Sequence, residues 1–353
     1  MKPQRESNVE LLRIVAMSGV VFLHYYNSEI GGAIRFVQKG SINELILQTL
    51  EATAICAVNL FIMISGYFLC STSKRSIGKC LSLLLKVSIF RLLFYVLDCI
   101  LLNQPIMITK TIYNMLPVDW FVVLYCAVYL VSPLINRSIN GLKKQEIWWC
   151  ILILLGLFSV FPTIQDVVYQ ITEKEINGLS TLGLGGSGRG YTIVNFLLCY
   201  IIGALIKETD VCSVIKRAGI KKSYLIYAII AEISVITGWS YINAYTAREY
   251  CNPVVILEAI TALLIFVTLN LNNNVFINQI AKVAMTVYLI HCNILKKINI
   301  ESYVRGNPIF MIGHIFIVIV FIIILGIIVD SLYRIVFGKI DSFLVNKWSY
   351  TIS

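Results

Sequence analysis

The chain has 353 residues, of which 58% are hydrophobic and only 14% charged, and its mean hydropathy is +0.82. Soluble domains are roughly 45–50% apolar and about 25% charged, so this composition excludes a soluble enzyme, a secreted disulfide-rich module and a disordered chain. The formal net charge of +10 does not indicate nucleic-acid binding, because the cations are scattered over loops. The apolar residues occur in runs of about twenty, enough to cross a bilayer core of roughly 30 Å. The composition predicts a polytopic membrane protein.

Ten segments are long and apolar enough to be predicted as membrane spans. The unbroken apolar runs do not alternate as barrel strands do, so they are predicted to be helices. The expected fold is therefore an all-α integral membrane bundle of about ten helices, forming a single domain over residues 1–353. The predicted spans lie near residues 9–27, 50–70, 81–102, 119–136, 147–164, 192–206, 223–240, 253–271, 280–295 and 308–329.

The distribution of Lys and Arg predicts the orientation of these helices. Sixteen of the 29 cations lie on the same side as the N-terminus, nine lie on the opposite side and four lie within spans. Because cytoplasmic loops are enriched in cations, both termini are predicted to be cytoplasmic, in a cell inner or plasma membrane. Residues 28–49 and 165–191 are then expected to form the two long outer loops.

The first span carries the most informative pair of ionisable residues, Arg13 and His24. Eleven residues of helix turn through almost three whole turns, so the two side chains share one face about 16 Å apart along the axis. Glu10 precedes Arg13 by three residues and is placed to pair with it. Such residues within a span are costly and indicate function. The alternative is that Arg13 extends to one interface while His24 lies in the opposite headgroup region.

The ten cysteines give no metal or disulfide pattern. There is no Cys-x-x-Cys pair, and most of the cysteines fall within apolar runs. They are interpreted as small buried apolar residues, and no metal site is predicted.

Several ordered motifs resemble the bacterial membrane acyltransferase 3 family. The first helix resembles that family's opening signature, in which an Arg is followed by a His after ten intervening residues. Later segments resemble its second, fourth, sixth and late-helix motifs: Val58–Leu69 with Ser-Gly-Tyr, Asp119–Tyr125, Leu198–Ala204 and Val287–His291 with Tyr-Leu-x-His. The third helix lacks the Arg-x-x-Arg pair found in many members, since Arg75 and Lys79 are four residues apart. An appended extracellular esterase-like domain is also not expected.

This resemblance implies transfer of an acyl group, usually acetyl from acetyl-CoA, to a hydroxyl of a cell-surface polysaccharide or its lipid-linked precursor. His24 is expected to be the general base or, as an alternative, a transient acyl carrier. The other expected catalytic residue is Arg13. The coenzyme is expected to meet Arg13 together with Arg75, Lys79 and Lys86, and the acceptor to meet Ser65, Tyr67, Trp120 and His291. The expected partners are acyl-CoA, the glycan acceptor and membrane lipid.

A transporter or flippase of a glycan precursor or small solute is the main alternative from another class. Charges within spans and ten helices suit a transporter equally well. The lack of an inverted repeat and the order of the motifs favour the acyltransferase.

Overall fold

The structure is a computed structural model, and it describes residues 6–174 and 188–351. Long apolar runs form helices because a helix satisfies its own backbone hydrogen bonds in lipid. The helices before residue 174 are α1 (Ser7–Tyr26), α2 (Ala33–Phe36), α3 (Ile42–Ala54), α4 (Ala57–Leu69), α5 (Ile77–Leu101), α6 (Ile108–Met115), α7 (Trp120–Asn140), α8 (Lys144–Leu155) and α9 (Phe161–Thr172). Those after residue 188 are α10 (Ile193–Glu208), α11 (Val211–Arg217), α12 (Lys222–Ala247), α13 (Pro253–Val267), α14 (Val275–Lys282), α15 (Ala284–Leu295), α16 (Glu301–Val304) and α17 (Pro308–Lys347).

All ten predicted spans fall on helices, but the helices differ in length. Within the described residues, seven helical segments are long and apolar enough to cross a membrane, or eight if α14 and α15, bent by 54°, form one span. The predicted spans at 192–206 and 253–271 correspond to α10 and α13, which have only 16 and 15 residues. Both are shorter than the roughly 20 residues of a full crossing. The protein is thus an all-α membrane bundle, and the count of ten spans stays a prediction.

The two predicted outer loops contain more helix than expected. Residues 28–49 include α2 and the first half of α3, which continues across a short break at Ile55–Cys56 into α4. The second predicted loop begins within α9, and its residues 175–187 lie outside the described part of the chain.

Helix α1 lies at the centre of the bundle and contacts α3, α4, α13, α14, α15 and α17. Helices α4 and α10 pack extensively against each other. A side chain at Gly66 would place its Cβ 2.1 Å from the carbonyl oxygen of Tyr200, so only glycine permits this approach. Small residues allow such close packing in membranes, where dispersion rather than the hydrophobic effect drives helix association.

A two-stranded sheet ties the end of the chain to the start of α5. Strand β1 (Lys74–Ser76) pairs antiparallel with β2 (Ser349–Thr351). The nearby Glu6 accepts a hydrogen bond from Tyr67 and pairs with Lys207. We call this end of the bundle, with β1, β2, Glu6, Tyr67 and Lys207, the terminal face.

Candidate active site

His24 lies in the last turn of α1, where the helix ends and the chain turns back. Its Nδ1 is 2.9 Å from the carbonyl oxygen of Val20, one turn earlier. The turn is closed by the amide of Gly31, which donates to the carbonyl of His24 at 2.9 Å. Because a carbonyl oxygen can only accept, the contact with Val20 assigns the proton to Nδ1. Nε2 therefore carries the lone pair. A neutral imidazole in this tautomer can accept a proton at Nε2.

His291, on α15, lies directly against His24. Its Nε2 is 3.0 Å from Nδ1 of His24, and the two rings meet edge to face. Its own Nδ1 is 2.5 Å from the carbonyl oxygen of Tyr288, which assigns a proton there and leaves Nε2 as an acceptor. The His24 N–H therefore points at both Val20 and His291. This arrangement fixes the ring of His24 and its tautomer.

A carboxylate faces the same space. Asp119 begins α7 as its N-cap, with its Oδ1 accepting from the amide of Val122 at 2.9 Å. The hydroxyl of Tyr288 lies 3.1 and 3.2 Å from the two carboxylate oxygens. Asp119 and His24 line the same cavity. Because an anion close to an imidazole favours its protonated form, Asp119 is placed to stabilise the imidazolium that a base reaction would produce.

These residues line a cavity of about 270 Å³, which we call the histidine cavity. Seven aromatic side chains form much of its wall, and His24, His291, Arg91 and Asp119 supply polar groups. A small number of oriented polar groups in an apolar surround is typical of substrate sites. The aromatic lining consists of Phe61, Phe90, Trp120, Phe121, Tyr191, Tyr250 and Tyr288.

One cation, Arg91, also lines the histidine cavity. Its guanidinium is held by the carbonyls of Val118, at 2.9 Å, and Tyr113, at 3.5 Å. Its Nε is buried and has no hydrogen-bond partner within the described residues. A buried N–H without a partner costs free energy, so this donor is available to a ligand or to an oxyanion.

Three rings form a cluster at one side of the cavity. Trp120 lies 4.5 Å from Tyr191 and is stacked on Tyr250 at 6.1 Å, measured between ring centroids. The backbone before Tyr191 is held in place, because the amide of Tyr250 donates to the carbonyl oxygen of Arg189 at 3.1 Å. Gly190 has a φ of +80° and leaves no room for a side chain. Stacked aromatic rings with polar tips suit the faces of a sugar ring.

A second cavity, of about 580 Å³, lies nearer the terminal face. We call it the basic cavity, because five cationic side chains and one carboxylate, Asp341, line it. Its volume lies within the roughly 300–1,000 Å³ of small-molecule sites. The cations are Arg13, Lys79, Lys86, Lys282 and Arg334.

The cations of the basic cavity differ in how far they are neutralised. Lys86 contacts Asp330 at 2.8 Å, and Arg334 contacts the same carboxylate at 2.6 Å, so the two cations share one anion. Arg13 lies 3.3 Å from Glu10, as the sequence spacing predicts. Lys79 is exposed and has its Nζ 4.7 Å from the centre of the Tyr129 ring. The cavity keeps a net positive charge suited to phosphate groups.

Two phenyl rings, Phe61 of α4 and Phe121 of α7, line both cavities. Their centroids are 6.1 Å apart and their planes meet at 71°. They therefore form the wall between the cavities. The helical register of α1 places Arg13 in one cavity and His24 in the other, so the spacing of this pair spans the wall.

The structure brings most of the sequence-predicted site residues into these two cavities. His24, Trp120 and His291 line the histidine cavity. Of the other sequence-predicted residues, four line the basic cavity: Arg13, Ser65, Lys79 and Lys86. Ser65 thus lies with the expected donor residues rather than with the acceptor group, and its hydroxyl donates to the carbonyl of Phe61 at 2.8 Å.

Two predicted site residues line neither cavity. Arg75 is only 1% exposed, and its guanidinium donates to Ser132, Thr72 and nearby carbonyls at 2.7–3.1 Å. Arg75 does not line the basic cavity, and its expected contact with a coenzyme stays a prediction. Tyr67 is buried at the terminal face, where its hydroxyl donates to Glu6 at 2.8 Å.

Sequence reasoning missed several residues of the two cavities. Asp119 and Tyr288 lie within quoted motifs, beside Trp120 and His291, but neither was singled out. From the sequence, Arg91 and Lys282 are two of the four cations within predicted spans, and Arg334 is a cation on the side of the N-terminus. The ordered motifs were the available signal for the first two. The others need the packing of α5, α14 and α17 to be known.

The chain matches the acyltransferase domain family over residues 6–330. No curated protein and no solved structure matches it. The family match covers far more than half of the chain. It includes the whole lining of the histidine cavity and all of the basic cavity except Arg334 and Asp341. It supports an enzyme rather than the transporter considered as the alternative. The chain therefore belongs to the acyltransferase 3 family, and it is a multi-pass membrane acyltransferase.

Proposed function

We propose that the protein transfers acetyl from acetyl-CoA to a hydroxyl of a bacterial cell-surface polysaccharide or of its lipid-linked precursor. The observation that carries this proposal is the pair of cavities on either side of Phe61 and Phe121. One presents cations suited to a polyphosphate coenzyme, and the other presents a base among aromatic rings.

The donor occupies the basic cavity. Lys79 and Arg13 bind the phosphates, while Lys86 and Arg334 are oriented by Asp330. Both termini are cytoplasmic in the predicted orientation, so this cavity opens toward the compartment that contains acetyl-CoA. The thioester end of the coenzyme extends along the α1 face, past Phe61 and Phe121, toward His24. The length of about 16 Å between Arg13 and His24 suits a long, thin arm.

The acceptor occupies the histidine cavity. A sugar ring packs on Trp120, Tyr191 and Tyr250, and its reacting hydroxyl faces Nε2 of His24. The aromatic cluster supplies apolar faces, and the few polar groups orient the ring.

The chemistry is general-base transfer. His24 Nε2 accepts the hydroxyl proton while the hydroxyl oxygen attacks the thioester carbonyl carbon. Asp119 and the Nε2 of His291 stabilise the imidazolium, and the Nε–H of Arg91 donates to the developing oxyanion. When the C–S bond breaks, His24 returns its proton to the departing coenzyme thiolate. The products are an acetyl ester and free coenzyme A.

The test uses the full chain in lipid nanodiscs with acetyl-CoA labelled in its acetyl group. Purified surface polysaccharide and lipid-linked oligosaccharide are offered as separate acceptors. We expect label in one glycan fraction, released as acetate by mild alkali, as an ester requires. Label that resists alkali, or no glycan label despite bound donor, contradicts the proposal. The matched control is His314→Ala, which alters the third histidine of the chain outside both cavities.

A further inference from the structure

A third potential metal ligand lies beside the two histidines of the active site. The Sγ of Cys292 is 3.4 Å from Nε2 of His291, which is in turn 3.0 Å from Nδ1 of His24. The ligand atoms of these three residues all lie within 4.8 Å of one another. Two imidazole nitrogens and one sulfur are a ligand set that zinc prefers, and three protein ligands leave an open position.

We propose that His24, His291 and Cys292 form an inhibitory site for Zn²⁺, a role that rests on the proposed function of His24 as the base. Nitrogen and sulfur ligands about 2.0–2.3 Å from one tetrahedral zinc ion lie well over 3 Å from each other. Two of the three separations, 3.0 and 3.4 Å, are close to this arrangement, and the third, between His24 and Cys292, is within 4.8 Å. The histidine cavity has room for water as the fourth ligand.

His291 is already oriented as a ligand. Its Nδ1 faces the carbonyl of Tyr288 at 2.5 Å, so its Nε2 carries the lone pair that faces the other two ligands. A backbone carbonyl in this position is the usual outer partner of a histidine that binds zinc. His291 therefore offers its Nε2 to the ion without a change of tautomer.

Binding at His24 explains why the ion inhibits. Nδ1 must give up the hydrogen bond to Val20 and offer its lone pair to zinc, so the remaining ring proton moves to Nε2. A protonated Nε2 cannot accept a proton from the acceptor hydroxyl. The thiol of Cys292 releases its proton to solvent as it becomes a thiolate ligand. Zinc thus blocks the base without occupying the basic cavity.

Cobalt absorption tests the site without reference to activity. Co²⁺ is added to the full chain in nanodiscs, and the thiolate-to-cobalt charge-transfer band is recorded. We expect the band in the wild type, its loss in Cys292→Ser and its retention in Cys150→Ser, which alters an exposed cysteine of α8. Absence of the band in the wild type, or its persistence in Cys292→Ser, overturns the proposal.

Inhibition provides the second measurement. Acetyl transfer is measured over a range of Zn²⁺ concentrations, with each variant compared with its own rate without zinc. We expect Cys292→Ser to need at least about tenfold more zinc for half inhibition, because the loss of even an outer partner of a ligand costs about 10–100-fold in metal affinity. A chelator should restore the wild-type rate. Equal sensitivity of the two proteins contradicts the proposal. A wild type that binds cobalt but transfers no acetyl group contradicts the proposed function and leaves the metal site in place.

Discussion

The basic cavity and the histidine cavity share a wall of two phenyl rings but present different kinds of side chain. The basic cavity has five cations distributed over several helices, and two of them share the single carboxylate of Asp330. The histidine cavity has one candidate base, held by hydrogen bonds to Val20 and His291 and surrounded by rings. Binding is therefore spread over many groups, whereas the chemistry depends on one.

This difference predicts how the two cavities respond to substitution. When one of the five cations is lost, the other four still attract the phosphates of the donor, so donor binding weakens by a modest factor. Loss of the base removes an interaction that no neighbour can replace, because His291 presents Nε2 to His24 rather than to the acceptor. Substitutions in the histidine cavity should lower kcat, and substitutions in the basic cavity should raise KM.

The largest effect is expected for His24→Ala. We expect acetyl transfer to fall about 10²- to 10⁴-fold, the range that a general base contributes, while the Kd for acetyl-CoA is unchanged. Equilibrium binding and single-turnover transfer measure the two quantities in nanodiscs. If a variant that inserts normally retains full transfer, His24 is not the base.

The same enzyme distinguishes a base from an acyl carrier. Acid quenching of the wild type with labelled donor, before acceptor is added, should trap no acetyl group on the protein if His24 acts as a base. Label on His24 that disappears when acceptor is added would instead assign it the carrier role. His314→Ala, on α17, is the matched histidine control.

The next largest effect is expected for a substitution in the wall between the two cavities. Phe61→Trp places a larger ring between the cavities, so the thioester should reach His24 poorly. We expect transfer to fall about 10²-fold, as for a misplaced reacting group, with the Kd for acetyl-CoA unchanged. Phe343→Trp, at a position that is 61% exposed and lines neither cavity, is the control. Equal rates for Phe61→Trp and the control would show that the donor takes another path.

Sequence alone predicted the parts of this site that depend on one helix. The register of α1 predicted that Arg13 and His24 face a common path, because the helical period fixes their angle. It could not predict that His291 lies 3.0 Å from His24, since that contact depends on how α15 packs against α1. Hydropathy measures only apolar content. It therefore does not predict the break between α3 and α4 or the 54° bend between α14 and α15.

The position of Arg75 outside both cavities has a physical explanation. Arg75 and Lys79 are both cations near the end of a span, and the sequence gives them the same interfacial character. In the structure, Arg75 belongs to β1 and its planar guanidinium satisfies carbonyls and hydroxyls around it. Lys79, one turn into α5, lines the cavity. The charge pattern predicts how deep in the membrane a cation lies, but it does not predict whether a guanidinium faces a ligand or the backbone.

A smaller effect is expected for Lys79→Gln in the basic cavity. We expect KM for acetyl-CoA to rise about two- to fivefold with kcat unchanged, since a screened ion pair contributes up to about 1 kcal/mol. The difference from wild type should shrink as salt increases. Lys296→Gln, which alters an exposed cation that lines neither cavity, is the control. A fall in kcat with KM unchanged would place Lys79 in the chemical step instead.

The smallest catalytic effect is expected for Arg75→Lys. A lysine keeps the charge but cannot reproduce the planar set of contacts to Ser132, Thr72 and Leu69, so the free energy of unfolding should fall by about 1–3 kcal/mol. KM for acetyl-CoA and kcat of the folded protein should match the wild type, because Arg75 lines neither cavity. Thermal unfolding and steady-state kinetics measure the two effects on one preparation. A rise in KM larger than that of Lys79→Gln, with unchanged thermal stability, would show that Arg75 binds the donor. The donor site would then extend from the basic cavity to β1.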